Sequence, residues 1–406
     1  MKKLLLLTIL ALASFPINAQ EVEDTIKIKT RVVFLDALVK DKKTNLPISN
    51  LTTDNFEVLD DGKPRNISYF TREGQARKPL ALVLILDLRE DGAGRFLKRT
   101  EILKAMEDEL AKLPPGDEVA IMAMDIAEHE ERYWLTDFTN DRAKLAAALA
   151  RVPGLCGPNN GIPPEGLERI VMQEGTGEGK PEDIVEIETI RGKNGATLTR
   201  ETRRDGSVHL KRVDKNGTVT IEAGELYDMS SAVRDATRKA AQVRPNSQTS
   251  IVWVSDGIAP IFFEDRDATE QILIRDNVIF NSLTVEMRTL FKFLVPIGKP
   301  IAGWMGLSLY GSAKHLAQQS GGEAVKVGRV KDYGSGLQRI IGNLTARYSL
   351  GFALAEQETD DGRMHSLQVR VKAKDEKGKD RKLQVSSRQG YYMSSTLPKE
   401  AATKAQ

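Results

Sequence analysis

Apolar positions change rhythm twice along the chain. From Ile26 to Phe70 the text IKIKTRVVFLDALVKDKKTNLPISNLTTDNFEVLDDGKPRNISYF carries alternating and β-branched runs broken by DKKTNLP and DDGKP, which predicts strands and hairpin turns. The far end repeats the style, with RYSLGFALAE, HSLQVRVKAK and RKLQVSSRQGYYM divided by QETDDGRM and DEKGKD. The two β-rich stretches, 26–75 and 345–395, are expected to pack together, because chain termini often meet.

Between them, in the stretch 79–348, the apolar residues run continuously or recur at helical spacing. PLALVLILD (79–87) and EVAIMAMD (118–125) are unbroken runs, the mark of strands buried on both faces. RYWLTDF (132–138), TSIVWVSDG (249–257) and DNVIFNSLTV (276–285) predict further strands. Phe96, Leu97, Ile102, Leu103, Met106, Leu110 and Leu113 fall on a helical period that Pro114, Pro115 and Gly116 stop. Helices are also expected over 140–152, favoured by Asn140 or Asp141 at its start, over 225–242, within 310–327 and over 333–348. Strands alternating with helices imply an α/β fold, a mostly parallel sheet covered on both faces, and such sheets bind ligands outside the carboxyl ends of their strands.

An insertion, 153–223, interrupts that order. After a Gly/Pro-rich loop it runs strand, turn, strand, with turns at GKNG, RDG and DKNG, and each strand is polar on at least one face. This predicts a solvent-exposed β-meander rather than a second buried core.

Composition narrows the classes. A chain of 406 residues with 40% hydrophobic content can bury a sizeable core and is not disordered. Residues 1–19 read as a secretory signal peptide: Lys2 and Lys3, an apolar stretch from Leu4 to Phe15 too short for a good membrane span, and cleavage after Ala19. Gln20 rather than Cys would then lead the mature chain, which argues against a lipid anchor, and the product would be secreted or periplasmic. No later stretch reads as a membrane span. Loss of the two signal lysines takes the formal charge from +2 to 0, so nothing calls for nucleic acid or an acidic membrane surface. The single cysteine, Cys156, excludes internal disulfides and is a loop thiol or a link to another chain, while a catalytic thiol finds no His nearby in sequence to support it.

Catalytic motifs are scarce. His129, His209, His315 and His365 stand at no zinc-ligand spacing, no serine sits in a nucleophile elbow, and GTGEGKPED lacks the Lys-Ser/Thr ending of a phosphate loop. Aromatic residues make up only 6% and form no stacking platform for nucleic acid, so Trp134, Trp253 and Trp304 are read as core or rim packing.

LILD before a helix, WLTDFTNDRAKLAAAL, LYD opening a helix, VWVSDG and LAQQSGGEA together resemble a von Willebrand factor A-type domain. From about Ile26 to Met393, the insertion apart, the chain resembles bacterial secreted proteins with a von Willebrand factor A (VWFA)-related domain. The resemblance implies a Rossmann-like α/β domain that binds protein ligands through a metal-ion-dependent adhesion site. That site uses an Asp-x-Ser-x-Ser turn after the first strand, a Thr before a central helix, and an Asp in a turn such as Ser-Asp-Gly. Asp87 matches the first acid and Asp256 the last, but Arg89 and Asp91 replace the serines and the Thr position falls on Gly224.

Those departures matter, because Mg²⁺ demands about six oxygen ligands near 2.0–2.1 Å and three of the family's hydroxyls are missing. Two readings follow. Arg89 pairs bidentately with the carboxylates and substitutes for the ion, or Asp91 joins Asp87 and Asp256 in a rebuilt metal site with Arg89 turned to solvent. Without the resemblance, Asp256 merely caps a turn and Asp87 bonds backbone amides. The leading expectation is a secreted, non-enzymatic protein-binding or scaffold protein without a cofactor, its adhesion site degenerate. The alternative is a metal-dependent hydrolase holding Mg²⁺ on Asp87, Asp91 and Asp256. The insertion is expected to stand beside or over Asp87 and Asp256, with recognition moved to its ribbon around residues 183–222.

Overall fold

The computed structural model describes residues 31–393 apart from 73–76, 90–92, 125–131, 156–167, 170–183, 204–207, 225–228, 260, 286–305, 309–310, 356, 359 and 376. Residues 1–19, read from the sequence as a signal peptide, and Asp91, His129, Cys156 and Trp304 lie outside the described residues.

The central sheet is built around β5 (Leu80–Asp87), whose eight residues are all buried, as an unbroken apolar run requires. β13 (Gln248–Ser255) and β6 (Glu118–Met124) flank it in parallel, with Val252 and Ile121 both opposite Leu84. β15 (Ile279–Val285) and β17 (Ala324–Val327) extend the sheet beyond β13, also in parallel. At the other side β7 (Arg132–Thr139) runs antiparallel to β6 and carries the two-residue β8 (Glu168–Arg169). The order is β17-β15-β13-β5-β6-β7-β8. Leaving out β8 and counting along the chain, it reads about 3-2-1-4-5-6 from β7, the doubly wound order, which reverses between β5 and β13.

Because successive strand residues point to opposite faces, an all-apolar strand needs cover on both. Helices α1 (Thr100–Leu110), α2 (Arg142–Leu155) and α6 (Tyr333–Thr345) supply one layer, where Met106, Leu149 and Leu337 share a core with Leu82, Leu84 and Leu86. Helices α3 (Met229–Val243), α4 (Phe263–Arg275) and α5 (Ser312–Ser320) supply the other, where Val233, Leu273 and Leu316 meet Val83, Ile85 and Trp253. No helix among the described residues is long and apolar enough to cross a membrane.

Strands from the two ends of the chain pair with each other. β1 (Val32–Asp41), β4 (Tyr69–Thr71), β18 (Tyr348–Ala353) and β20 (Leu383–Ser386) form one sheet in the order β20-β1-β18-β4. β2 (Phe56–Asp60), β3 (Lys63–Arg65), β19 (Met364–Val371) and β21 (Gly390–Tyr392) form a second in the order β21-β19-β2-β3. Leu35, Val58, Tyr348, Leu350, Leu367 and Tyr391 belong to their common core. The buried Lys40 of β1 pairs with Glu323 beside β17, and Arg388 Nη1 donates to the carbonyl of Ile274 at 3.1 Å, so this sandwich is tied to the α/β domain.

The insertion departs from expectation. β9 (Ile184–Arg191), β10 (Thr197–Arg203), β11 (Val208–Val213) and β12 (Val219–Gly224) do form an antiparallel meander in chain order. It is not merely solvent-exposed, because Ile190, Leu198 and Leu210 are buried against Phe262. Phe262 belongs to β14 (Ile261–Phe262), which pairs with β16 (Leu307–Ser308). Helix α4, which no apolar period announces, is the platform beneath. It buries Glu264, Asp265, Asp267 and Glu270 as well as Leu273 and Ile274, so its inward face is written largely in carboxylates.

Candidate functional site

The strand order reverses between β5 and β13, and the carboxyl ends of strands at such a reversal are where doubly wound sheets bind ligands. Asp87 is the last residue of β5 and Asp256 follows the last residue of β13, so parallel pairing of Leu86 with Val254 brings the two acids to the same end of the sheet. Both carboxylates are buried.

Arg89 reaches both. Its Nε and Nη2 donate to Asp87 Oδ1 and Oδ2 at 3.2 and 3.1 Å, a two-pronged fit of guanidinium to carboxylate. Nη2 also lies 3.4 Å from Asp256 Oδ1 and donates to the carbonyl of Ile258 at 2.7 Å. Backbone bonds coexist with this clamp: the amide of Arg89 donates to Asp87 Oδ1 at 3.2 Å, and that of Ile258 to Asp256 Oδ1 at 2.9 Å. The second is the turn-capping role expected of Asp256, and Gly257, at φ +88°, gives that turn the left-handed residue it needs.

Two further residues complete the site, and neither was singled out from the sequence. Ser255 Oγ donates to Asp87 Oδ2 and accepts the amide of Gly257 at 3.2 Å, tying the strand end to the turn. Its signal was the first letter of SDG, where only the acid drew attention. The buried Tyr333, which opens α6, donates to the carbonyl of Ser255 at 2.9 Å. Nothing near Tyr333 in sequence foretells this, since 78 residues separate the partners.

Burial pushes the Asp256 carboxyl above its usual range, against the bond from the Ile258 amide; Asp87 adds to the rise, while Arg89 and Ser255 oppose it. Burial, then the charges of Asp256 and Asp87, push the Tyr333 phenol up as well. Asp256 Oδ2 is buried with no hydrogen-bond partner among the described residues.

Gly224 stands at the end of β12, opposite His209 of β11, and so belongs to the meander's last strand pair. Ion pairs hold that meander on α4. Arg212 Nη2 lies 3.1 Å from Glu264 Oε1, Arg200 Nη2 lies 3.5 Å from Asp265 Oδ2, and Arg234 of α3 joins Asp265 at 2.8 Å. The ribbon is therefore docked on the helix that follows the Asp256 turn.

Comparison with protein-family models finds no match, and none appears among curated proteins. Solved structures do resemble the chain. The SpRpn10 VWA domain is 9% identical, with 63% of this chain and 94% of that one covered at a TM-score of 0.32. A von Willebrand factor type A protein from Catenulispora acidiphila is 9% identical, covering 87% and 78% at 0.36. The pilus adhesin SpaC from Lactobacillus rhamnosus GG is 8% identical, covering 83% and 46% at 0.32. The order and direction of the strands and the two helical layers make the central domain a doubly wound α/β unit, and the solved structures the chain is similar to include von Willebrand factor type A domains.

Proposed function

We propose that this chain is an exported, non-enzymatic protein-binding or scaffold protein whose adhesion site works without an ion. The observation that carries the reading is Arg89, whose guanidinium bonds both oxygens of Asp87 and lies within reach of Asp256. A fixed cation seated there neutralises the charge an ion would neutralise. The donor set is also poor for a hard dication, since both Asp87 oxygens are taken and Ser255 is the hydroxyl at hand. Asp91 lies outside the described residues and Asp256 Oδ2 is buried without a partner among them, so the ion-free reading rests on the Arg89 clamp and is put to the Mg²⁺ test below.

Recognition in this reading lies on the meander. Val185 and Ile187 on the outermost described strand, β9, are 58% and 42% exposed, and Val219 on the opposite outer strand is 46% exposed. Outer strands with unpaired backbone groups and apolar side chains suit strand addition by a protein partner.

The ion arm is tested by thermal unfolding with and without Mg²⁺. No shift is expected, whereas a rise in Tm abolished by Asp256→Ala would favour the hydrolase-type metal site instead. The recognition arm is tested by pull-down from the secreted fraction. Val185→Lys with Ile187→Lys should abolish capture at unchanged Tm, and capture that survives the double change removes the ribbon from the reading.

A further inference from the structure

A second cluster lies in the terminal sandwich, on elements other than those that carry Asp87 and Asp256. β2 and β3 are joined by the two-residue turn Asp61-Gly62, both at positive φ (+47° and +78°), which is the geometry of a tight hairpin turn. This puts Asp60 at the strand end and Asp61 on the turn. β19 runs antiparallel to β2 with Leu367 opposite Asp60, and the amide and hydroxyl of Ser366 donate to Asp61 Oδ1 at 2.8 and 3.2 Å. His365 is thereby held against the turn.

The imidazole of His365 is buried and stacked on Tyr391, with ring centres 5.1 Å apart. Its Nδ1 lies 3.0 Å from Asp61 Oδ2, and its Nε2 lies 3.3 Å from Asp361 Oδ1. Asp60 Oδ2 accepts Arg65 Nε at 2.9 Å, Arg65 Nη2 at 2.7 Å and the Tyr391 hydroxyl at 3.1 Å. Asp60 Oδ1, by contrast, is buried with no hydrogen-bond partner among the described residues. Ligand-capable atoms of Asp60, Asp61 and His365 all lie within 4.8 Å of one another.

We propose that Asp60, Asp61 and His365 bind a divalent transition-metal ion of the Zn²⁺ class. One imidazole with two carboxylates suits Zn²⁺ better than Mg²⁺ or Ca²⁺, which prefer oxygen alone. Ligand atoms about 2.0–2.1 Å from a tetrahedral ion stand about 3.3 Å apart, close to the His365 to Asp61 separation of 3.0 Å. With Nδ1 on the ion, the Nε2 hydrogen goes to Asp361, the arrangement in which a carboxylate fixes the tautomer of a metal-bound histidine. Arg363 competes for Asp61 Oδ2 at 3.1 Å, but its side chain is 59% exposed and already bonded to Asp361 at 2.7 Å, so it can yield. Arg65 stays on Asp60 Oδ2 and leaves Oδ1 for the ion.

The ion would serve as a clip. Asp61 and His365 are 304 residues apart, and the sequence has one cysteine, so a bond between these segments constrains the unfolded chain where no internal disulfide can. The spacing also explains why the sequence hides the site: its ligands come from opposite ends of the chain.

The test uses the full chain freed of metal by a chelator and dialysed. Zn²⁺ should raise Tm to saturation at one ion per chain, and Co²⁺ should give visible absorption bands of a low-symmetry site. His365→Gln and Asp61→Asn should each remove both signals, and Asp361→Asn should weaken binding about 10–100-fold. Should His365→Gln fail to fold, Asp61→Asn decides. Absence of both signals in the parent chain, or a Tm rise and Co²⁺ bands that survive these changes, overturns the site.

Discussion

Arg89 and Asp87, two residues apart in sequence, meet through two parallel bonds of 3.2 and 3.1 Å at the carboxyl end of a buried strand. Removing the guanidinium takes away the cation that bridges these two buried carboxylates. Arg89→Ala should therefore cost about 3 kcal/mol or more, because breaking a buried pair from one side leaves uncompensated charge. Urea unfolding measures it, and a change near zero would mean that Arg89 is a spectator.

Asp256 sets a pH dependence of opposite sign to most carboxylates. Its folded pKa lies above the ordinary 3.8, so the folded state holds the proton more tightly, and its contribution to stability declines as pH rises from 3.8 through the raised folded value. Asp256→Asn keeps an acceptor for the Ile258 amide and removes that ionisation. Relative to the parent, the Asn variant should gain stability across this window and hold the gain above it. Unfolding midpoints at a series of pH values test the sign, and parallel curves would refute it.

Lys40 and Glu323 join the terminal sandwich to the α/β domain through a buried pair. Burial pushes Glu323 up, but Lys40 first, then Asn343 and Arg339, outweigh it and hold the carboxyl below its usual 4.5. A lowered carboxyl contributes stability above the unfolded pKa and loses it as pH falls through the folded one. Lys40→Met should cost about 3 kcal/mol at neutral pH and flatten the loss of stability below pH 4.5.

Arg212 and Glu264 hold the meander on α4, and Glu264 is fully buried. Arg212→Ala should cost about 3–5 kcal/mol if meander and α/β domain unfold together. Hydrogen exchange separates the cases. Loss of protection confined to 184–224 marks local undocking, while loss across β5 and β13 marks a shared unfolding unit.

Much of the fold was legible because it is written locally. The unbroken run of β5, the periods of α1 and α6, and the turn signals of the meander each specify an element from neighbouring residues, and their alternation specifies the sheet. Asp87, Arg89 and Asp256 were legible as a group through a family pattern. Helix α4 was not, because it buries carboxylates such as Glu264, whose counter-ion Arg212 sits 52 residues away on the meander, and hydrophobic periodicity does not register a charged interface. Nor could the sequence decide between Arg89 as clamp and Arg89 in solvent, since that depends on parallel pairing of β5 with β13 bringing Asp256 to within 3.4 Å. Burial alone makes such a pairing energetically consequential, and burial is a property of the assembled layers.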